Sequence, residues 1–192
     1  MKDILRLIIA LTVISAAAGV ILAVTNKVTT APITSAAQKE TVEALAAVLP
    51  PFDNDPNRCA TTFTEKGQTW NFHVGRKAGV FTGAAFEASS PNGYGGEIRL
   101  MVGITAANEI KCIKILAQKE TPGLGTKITE APFISQFDGK RIHGTVWSVK
   151  KDQGDFDAVT GATISSRAVL GAIKAGLDVY GKHAEEIART GE

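Results

Sequence analysis

The chain opens with an apolar segment that is too long and too uniformly hydrophobic for a surface helix. From Leu7 to Asn26, a run of 20 residues, no side chain is charged, and Ile, Leu, Val and Ala dominate. As a helix rising about 1.5 Å per residue, the run spans roughly 30 Å, the thickness of a bilayer's hydrocarbon core. A helix that is apolar all round needs a membrane or a large protein core to cover it. The sequence therefore predicts a transmembrane anchor at residues 7–26.

The charges around this segment predict its orientation. Lys2 and Arg6 precede it, and basic residues favour the cytoplasmic side, although Lys27 after the span weakens the asymmetry. We therefore expect residues 1–6 in the cytoplasm, a single membrane pass, and the rest of the chain outside. A cleaved signal peptide is the alternative, with the alanines at 16–18 as a cleavage site, but the apolar run continues past them.

The composition excludes several classes of function. The chain has 21 basic and 19 acidic side chains, a net charge of +2, and no basic block of the kind that binds nucleic acid. Cys59 and Cys112 are the only cysteines and no CxxC motif occurs, so the ligands of iron–sulfur clusters, structural zinc and c-type haem are missing. We predict no metal site and no nucleic-acid partner, so redox chemistry would need an organic cofactor. A disulfide between the two cysteines stays open.

A linker is predicted between the anchor and the main domain. Residues 29–32 should break the anchor helix from an amphipathic helix at residues 34–49. Pro50-Pro51 then ends that second helix. Residues 27–58 together form the predicted linker and amphipathic helix.

Residues 59–192 predict one extracytoplasmic domain of the α+β class, an antiparallel sheet with flanking helices. Its strand candidates either alternate apolar and polar side chains or are rich in isoleucine, and they lie at residues 70–74, 79–87, 97–105, 109–118 and 145–150. The short polar link 106–108 predicts a hairpin between its two neighbouring strands. Apolar residues spaced three and four apart predict a closing helix over residues 165–188.

A motif near the C-terminus presents a hydroxyl group just ahead of the closing helix. It reads Asp157-Ala158-Val159-Thr160-Gly161-Ala162-Thr163, and its Gly-Ala step has almost no side-chain bulk, which leaves the Thr163 hydroxyl accessible. Because the chain then becomes helical, Thr163 should lie beside unpaired backbone N–H groups at the positive end of the helix dipole. Such a position suits a phosphate group. The alternative is an ordinary turn in which Thr163 or Ser165 caps the helix.

This motif resembles the Asp-x-x-Ser/Thr-Gly-Ala-Thr flavinylation motif of the FMN-binding domain family, which includes the G subunit of the Rnf complex and the related C subunit of the sodium-translocating NADH:quinone reductase. The resemblance implies covalent FMN, bound to Thr163 as a phosphoester. It further implies that Asp157 and Thr160 serve recognition and hydrogen bonding, and that Gly161 and Ala162 give clearance. We expect the amides of residues 164–166, Ser166 among them, to hold the phosphate, with Arg167 as a counter-charge.

Two further segments resemble parts of the same family, although each is also typical of a surface turn. Glu120-Thr121-Pro122-Gly123-Leu124-Gly125 is similar to its Thr-Pro-Gly-Leu/Ile-Gly segment. Within it, Pro122-Gly123 suits a type II turn, and Gly125 would let the backbone approach a flat ring. Gly93-Tyr94-Gly95-Gly96 is similar to another family segment, and Tyr94 would stack near the ring. The predicted flavin contacts in these segments are Tyr94, Gly95, Glu120, Thr121, Pro122, Gly123, Leu124 and Gly125.

The resemblance implies an electron-transfer subunit, without catalytic residues of its own, in a membrane complex that couples ferredoxin and NAD redox chemistry to ion translocation. Its partners would be the other membrane subunits of an Rnf-type complex, the lipid bilayer, and an extracytoplasmic flavin transferase that attaches the FMN. The expected location is the inner or plasma membrane. The short chain favours the G subunit. The alternatives are the quinone reductase C subunit, a stand-alone anchored flavoprotein, and an anchored binding module without redox chemistry.

Overall fold

The N-terminal part of the chain is one long helix. The computed structural model describes residues 2–65 and 67–191. The predicted segments 1–6 and 59–192 include Met1, Lys66 and Glu192, and these three residues lie outside the described residues. Helix α1 runs over Lys2–Val48. Within it, Arg6–Thr30 is apolar and long enough to cross a membrane. The chain divides into two compact units, Met1–Thr41 and Val42–Glu192.

The predicted helix break at residues 29–32 is wrong, because α1 passes through them. Threonine hydroxyls in this region bond back to carbonyl oxygens four residues earlier. Thr29 Oγ1 donates to the Thr25 oxygen at 2.7 Å, and Thr30 Oγ1 donates to the Asn26 oxygen at 2.6 Å. Residues that indicated a break from sequence therefore form local helix contacts. The predicted end of the helical segment before Pro50-Pro51 is confirmed.

The second unit is built on a five-stranded antiparallel sheet. The strands follow one another across the sheet in chain order, so each pairs with its sequence neighbours through a short connection. Their bounds are Ala60–Glu65 (β1), Gln68–Lys77 (β2), Val80–Ser90 (β3), Ile98–Thr105 (β4) and Ile110–Ala117 (β5). The predicted β4–β5 hairpin is confirmed, and its connection contains Asn108 with a φ of 59°. This sheet with its flanking helices confirms the predicted α+β class.

The closing helix, α3, covers one face of the sheet. It spans Thr163–Arg189, two residues earlier than the predicted start, and its apolar side packs on Phe72, Phe86 and their neighbours. The packing is closest at Gly176, where a β-carbon would lie 1.9 Å from Phe86 Cε2. The absence of a side chain at Gly176 therefore lets α3 lie close to Phe86 on the sheet.

The opposite face of the sheet is covered by the last turns of α1, which belong to the same compact unit. Leu45 and Val48 pack there against Ala85 and Met101. A β-carbon on Gly103 would lie 2.0 Å from the Val48 carbonyl oxygen, so the absence of a side chain lets the helix end approach the sheet. Both faces of the sheet are thus buried under helices.

Two expectations about the remaining elements fail. Residues 145–150 do not form a strand, and only Val149 makes an isolated bridge, to Phe156. The chain folds back on itself here, and a β-carbon on Gly154 would lie 2.0 Å from the Ser148 carbonyl oxygen. The structure also has an additional edge strand, β1, whose threonine-rich sequence carries little apolar alternation. A short helix, α2 (Ala131–Ile134), lies between β5 and the motif.

The two cysteines are both free, so the disulfide that the sequence left open is not formed. Cys59 packs against the core beneath α3, whereas Cys112 packs against the cluster beneath the end of α1. Burial raises the pKa of the Cys112 thiol. Their placement in separate clusters explains why they do not pair.

Candidate functional site

A cavity of about 530 Å³ lies where the start of α3 meets the two predicted glycine-rich segments. Its volume falls within the range of about 300–1,000 Å³ that is usual for small-molecule and cofactor sites. Predicted residues from all three segments line it: Tyr94, Glu120, Thr121, Leu124, Gly125, Gly161, Ala162 and Thr163. Lys151, Ile164 and Ser165 complete the lining. The fold therefore brings together segments that lie far apart in sequence.

Thr163 occupies the first position of α3, with its side chain half-buried in the cavity wall. The N-cap position is Ala162, whose methyl group makes no capping hydrogen bond, so the alternative of Thr163 or Ser165 as an N-cap is wrong. The first α-helical hydrogen bond runs from the Ser166 amide to the Ala162 oxygen at 3.0 Å. The amides of residues 163–165 therefore have no partner within the helix. The expectation that the Ser166 amide would be available for a phosphate is wrong.

The backbone just before Thr163 passes through the left-handed conformation at Gly161. Gly161 has a φ of 80°, and a β-carbon there would lie 3.2 Å from Leu124 Cδ2. Glycine adopts this conformation without strain and also leaves room for the neighbouring loop. Ser166, directly below, is fully buried, and its Oγ accepts from the Val159 amide and donates to the Ala162 oxygen, both at 3.0 Å. Ser166 thus holds the motif loop in shape and does not line the cavity.

Glu120 forms the inner wall of the cavity. Its side chain is only 5% exposed, and both carboxylate oxygens accept hydrogen bonds. Ser165 Oγ donates to Oε2 at 2.6 Å, and the Gly95 amide donates to Oε1 at 3.1 Å. One carboxylate therefore links the 93–96 turn, the 120–125 loop and the first turn of α3.

Two glycines of these loops, Gly93 and Gly125, leave room for the Glu120 side chain. A β-carbon on Gly125 would lie 2.7 Å from Glu120 Cβ, and one on Gly93 would lie 2.6 Å from Glu120 Oε1. Gly95 is equally restricted, since a β-carbon there would lie 1.8 Å from the Lys119 oxygen. Glycine at position 125 thus avoids a clash with Glu120, a reason that the sequence did not suggest. The approach of a flat ring to Gly125 stays a prediction.

The predicted turn at Pro122-Gly123 has the expected features. Gly123 has a φ of 74°, and the Leu124 amide donates to the Thr121 oxygen at 3.2 Å. Pro122 and Gly123 shape the loop but do not line the cavity. Gly95, in the 93–96 turn, does not line the cavity either. Leu124 and Tyr94 project at the rim of the cavity, 48% and 71% exposed.

Two residues of the motif lie away from the cavity. Asp157 is exposed, pairs with Lys150 Nζ at 2.7 Å, and its amide donates to Gln136 Oε1 at 2.7 Å. Thr160 is also exposed and does not line the cavity. Recognition of Asp157 and Thr160 by another protein, as predicted, requires that both be accessible from solvent, and both are exposed.

Two cationic residues differ from what the sequence predicted. Lys151 lines the cavity although no role was predicted for it, and Arg167, the predicted counter-charge, does not line the cavity. Arg167, expected as a counter-charge, donates through Nε and Nη2 to the two oxygens of Asp152, each at 2.7 Å. That hydrogen-bonded guanidinium lowers the pKa of the Asp152 carboxyl. The pair ties the 150–152 turn to α3, and this turn carries Lys151 to the cavity. No sequence motif marked Lys151, because its place depends on the way the chain folds back before Gly154.

Comparison with known proteins gives the family. The sequence model of the FMN-binding domain matches residues 93–178, a range that contains every residue lining the cavity. The chain is 35% identical over 179 residues to the G subunit of the ion-translocating oxidoreductase complex of Pseudomonas aeruginosa, covering 87% of this chain and 84% of that protein. The chain belongs to the family of G subunits of ion-translocating oxidoreductase complexes. The corresponding G subunit of Vibrio cholerae is 32% identical, with 87% of this chain and 85% of that protein covered.

Two solved structures share the fold of this chain. NqrC of Shewanella oneidensis matches with a TM-score of 0.54 and 21% identity, covering 70% of this chain and 74% of that one. The C subunit of the Na+-translocating NADH-quinone reductase of Parabacteroides distasonis gives a TM-score of 0.51 at 22% identity, covering 65% of each chain. This chain and these two proteins therefore have the same sheet-and-helix scaffold.

The residues of the cavity fit an FMN group. A hydroxyl lies at a helix start whose first amides lack helix partners, and such amides favour a phosphate. Small residues, Gly161 and Ala162, precede that hydroxyl and leave it accessible. Tyr94, Leu124 and Ile164 offer apolar surface at the rim. The cavity volume suits a cofactor of this size.

Proposed function

We propose that this chain is an electron-transfer subunit that carries FMN as a phosphoester on Thr163, in a membrane complex coupling ferredoxin and NAD redox chemistry to ion translocation. The observation that carries the proposal is the position of Thr163. This residue lines the cavity at the first position of α3, where the first amides have no partner within the helix and the N-cap residue, Ala162, makes no side-chain cap. The match of the cavity segments to the FMN-binding domain supports the identity of the cofactor.

Backbone amides and a lysine side chain of the cavity would together bind the phosphate of the cofactor. The amides of residues 163–165 would receive the phosphate oxygens at the positive end of the helix dipole. Lys151 would add a positive charge at the cavity edge. When bound, FMN supplies one- and two-electron redox chemistry, while the protein sets its position and electrostatic surroundings. The exposed rim at Tyr94, Leu124 and Ile164 would leave the cofactor accessible to an electron partner.

A separate enzyme would attach the cofactor. A threonine hydroxyl is a weak nucleophile near neutral pH and needs a general base or a metal to activate it. The residues that line the cavity include no histidine, and their one carboxylate, Glu120, is already bonded to Ser165 and Gly95. A flavin transferase would therefore bring the base, with FAD as donor: the Thr163 oxygen bonds to the FMN phosphorus and AMP leaves. Asp157 and Thr160, both exposed, would be read by that enzyme.

Membrane anchoring follows from α1. The candidate span Arg6–Thr30 would place the chain in the inner or plasma membrane as a single-pass protein. The basic residues before the span favour a cytoplasmic N-terminus and an extracytoplasmic domain. The G subunits that this chain resembles are named as parts of ion-translocating oxidoreductase complexes, which supports other membrane subunits as its partners.

In-gel fluorescence tests the proposal. Full-length protein is produced beside an active flavin transferase, denatured, and separated by electrophoresis under ultraviolet light. Wild type should give a fluorescent band and Thr163→Ala none, whereas Thr69→Ala, a matched change at an exposed strand residue, should keep the band. A fluorescent Thr163→Ala band would reject the assigned attachment site. A dark wild-type band would reject covalent flavin and favour an anchored module without redox chemistry.

A further inference from the structure

The wall of the cavity carries two charged side chains of opposite sign and very different burial. Among the lining residues, only Glu120 and Lys151 belong to the acidic and basic residue types. Glu120 is 5% exposed and lies at the inner wall, whereas Lys151 is exposed to solvent. Solvent screens an exposed charge far more effectively than a buried one. The negative charge of Glu120 at the inner wall is therefore screened by solvent less than the positive charge of Lys151.

The contacts of Glu120 suit a fixed negative charge. Both carboxylate oxygens accept hydrogen bonds, one from Ser165 Oγ at 2.6 Å and one from the Gly95 amide at 3.1 Å. Both partners are donors, a hydroxyl and a backbone amide, so each carboxylate oxygen acts as an acceptor. Glycines at positions 93 and 125 leave room for the carboxylate in this one position. The fold thus holds the group in place beside the cavity.

We propose that Glu120 is a positioning residue that lowers the reduction potential of the flavin through the negative charge it holds at the inner wall of the cavity. The inference rests on the proposed FMN site. Each electron added to a flavin adds negative charge unless a proton accompanies it, and a buried negative charge nearby makes that addition less favourable. Charge placed near a flavin is one of the means by which a protein tunes its electronics. Lys151 acts in the opposite direction, and its effect is weaker because of its exposure.

Potentiometric titration of the flavin-loaded, full-length protein tests this role. The variants are Glu120→Gln, which keeps the shape but removes the charge, and Lys151→Gln, which removes the opposing charge. The matched control is Glu130→Gln, which makes the same chemical change at an exposed carboxylate outside the cavity lining. Each potential is measured at low and at high salt.

Glu120→Gln should raise the potential by at least a tenfold change in the one-electron equilibrium, equivalent to about 59 mV. Salt should leave that shift almost unchanged, because the carboxylate is buried. Lys151→Gln should lower the potential by a smaller amount that high salt abolishes, and Glu130→Gln should not change it. An unchanged or lowered potential in Glu120→Gln would overturn the proposal, even with the fold and the flavin content preserved.

A second variant decides the question if Glu120→Gln takes up no flavin. Glu120→Ala also removes the charge, and it frees Ser165 Oγ and the Gly95 amide from the carboxylate, so the potential should again rise above that of wild type. No change, or a fall, would contradict the role of Glu120. Failure of the proposed function is distinguishable from failure of this inference, since it would leave wild type itself without a fluorescent band.

Discussion

Ser165 Oγ lies 2.6 Å from Oε2 of Glu120, and this hydrogen bond fastens the start of α3 to a loop 45 residues earlier in the chain. The bond is buried, so it is worth more than an exposed contact and costs more to break. It also sets the distance between Thr163 and the cavity's inner wall, because Thr163 and Ser165 share the first turn of the helix. The carboxylate is therefore central to the shape of the site as well as to its charge.

Gly125→Ala should reduce the flavin content of the protein. The new β-carbon would lie 2.7 Å from Glu120 Cβ and 2.9 Å from Glu120 Oε2, so the carboxylate must move away from Ser165. Flavin fluorescence per mole of protein, measured after denaturation, should fall well below that of wild type. Gly171→Ala, on the open side of α3 with no atom within 4 Å of the new β-carbon, is the control and should load normally. Full loading of Gly125→Ala would show that the loop tolerates a displaced Glu120.

Gly176→Ala should destabilise the domain. The β-carbon would lie 1.9 Å from Phe86 Cε2, and overpacking of this kind costs about 1–3 kcal/mol. For a domain of this size, each kcal/mol lowers the thermal midpoint by roughly 2–4 °C. Gly171→Ala on the same helix should instead raise stability by about 0.5–1 kcal/mol, since alanine suits a helix interior better than glycine. Thermal unfolding followed by circular dichroism checks both, and equal midpoints for the two variants would contradict the packing described for Gly176.

Tyr180 should titrate only in strongly alkaline solution. Burial raises its pKa from 10.0 to about 12, and its hydroxyl donates to Asn108 Oδ1 at 3.2 Å. Because the folded state holds this proton more tightly than the unfolded state, the stabilising contribution is complete below pH 10 and is lost as the pH rises towards 12. Phenolate absorbance during an alkaline titration should show a late step that Tyr180→Phe removes. A late step that persists in Tyr180→Phe would contradict its assignment.

Some elements could be predicted because local sequence decides them. The apolar spacing of α3 and the polar link at Asn108 are short-range patterns, and both structures formed as expected. The edge strand β1 was missed because its threonines, at positions 61, 62 and 64, lack the apolar period that marks a strand. At residues 29–32, proline and threonine indicated a break, but the helix continued.

The loops of the candidate site could be predicted from the sequence, but its side-chain contacts could not. Turn chemistry identified Gly123, and the Gly-Ala step before Thr163 indicated an accessible hydroxyl. The bonds of Glu120 join residues far apart in sequence, and no local pattern specifies which oxygen meets which donor. The pairing of Arg167 with Asp152, and the resulting position of Lys151, likewise depend on tertiary folding.

Mass mapping of the peptide that contains Thr163 tests the central claim most directly. The full-length protein is purified from membranes of cells with an active flavin transferase, digested, and fragmented so that a mass increment can be assigned to one residue. We expect an increment equal to esterified FMN on Thr163, and none on Thr160 in the same peptide. An unmodified Thr163, or an increment placed on another residue, would contradict it.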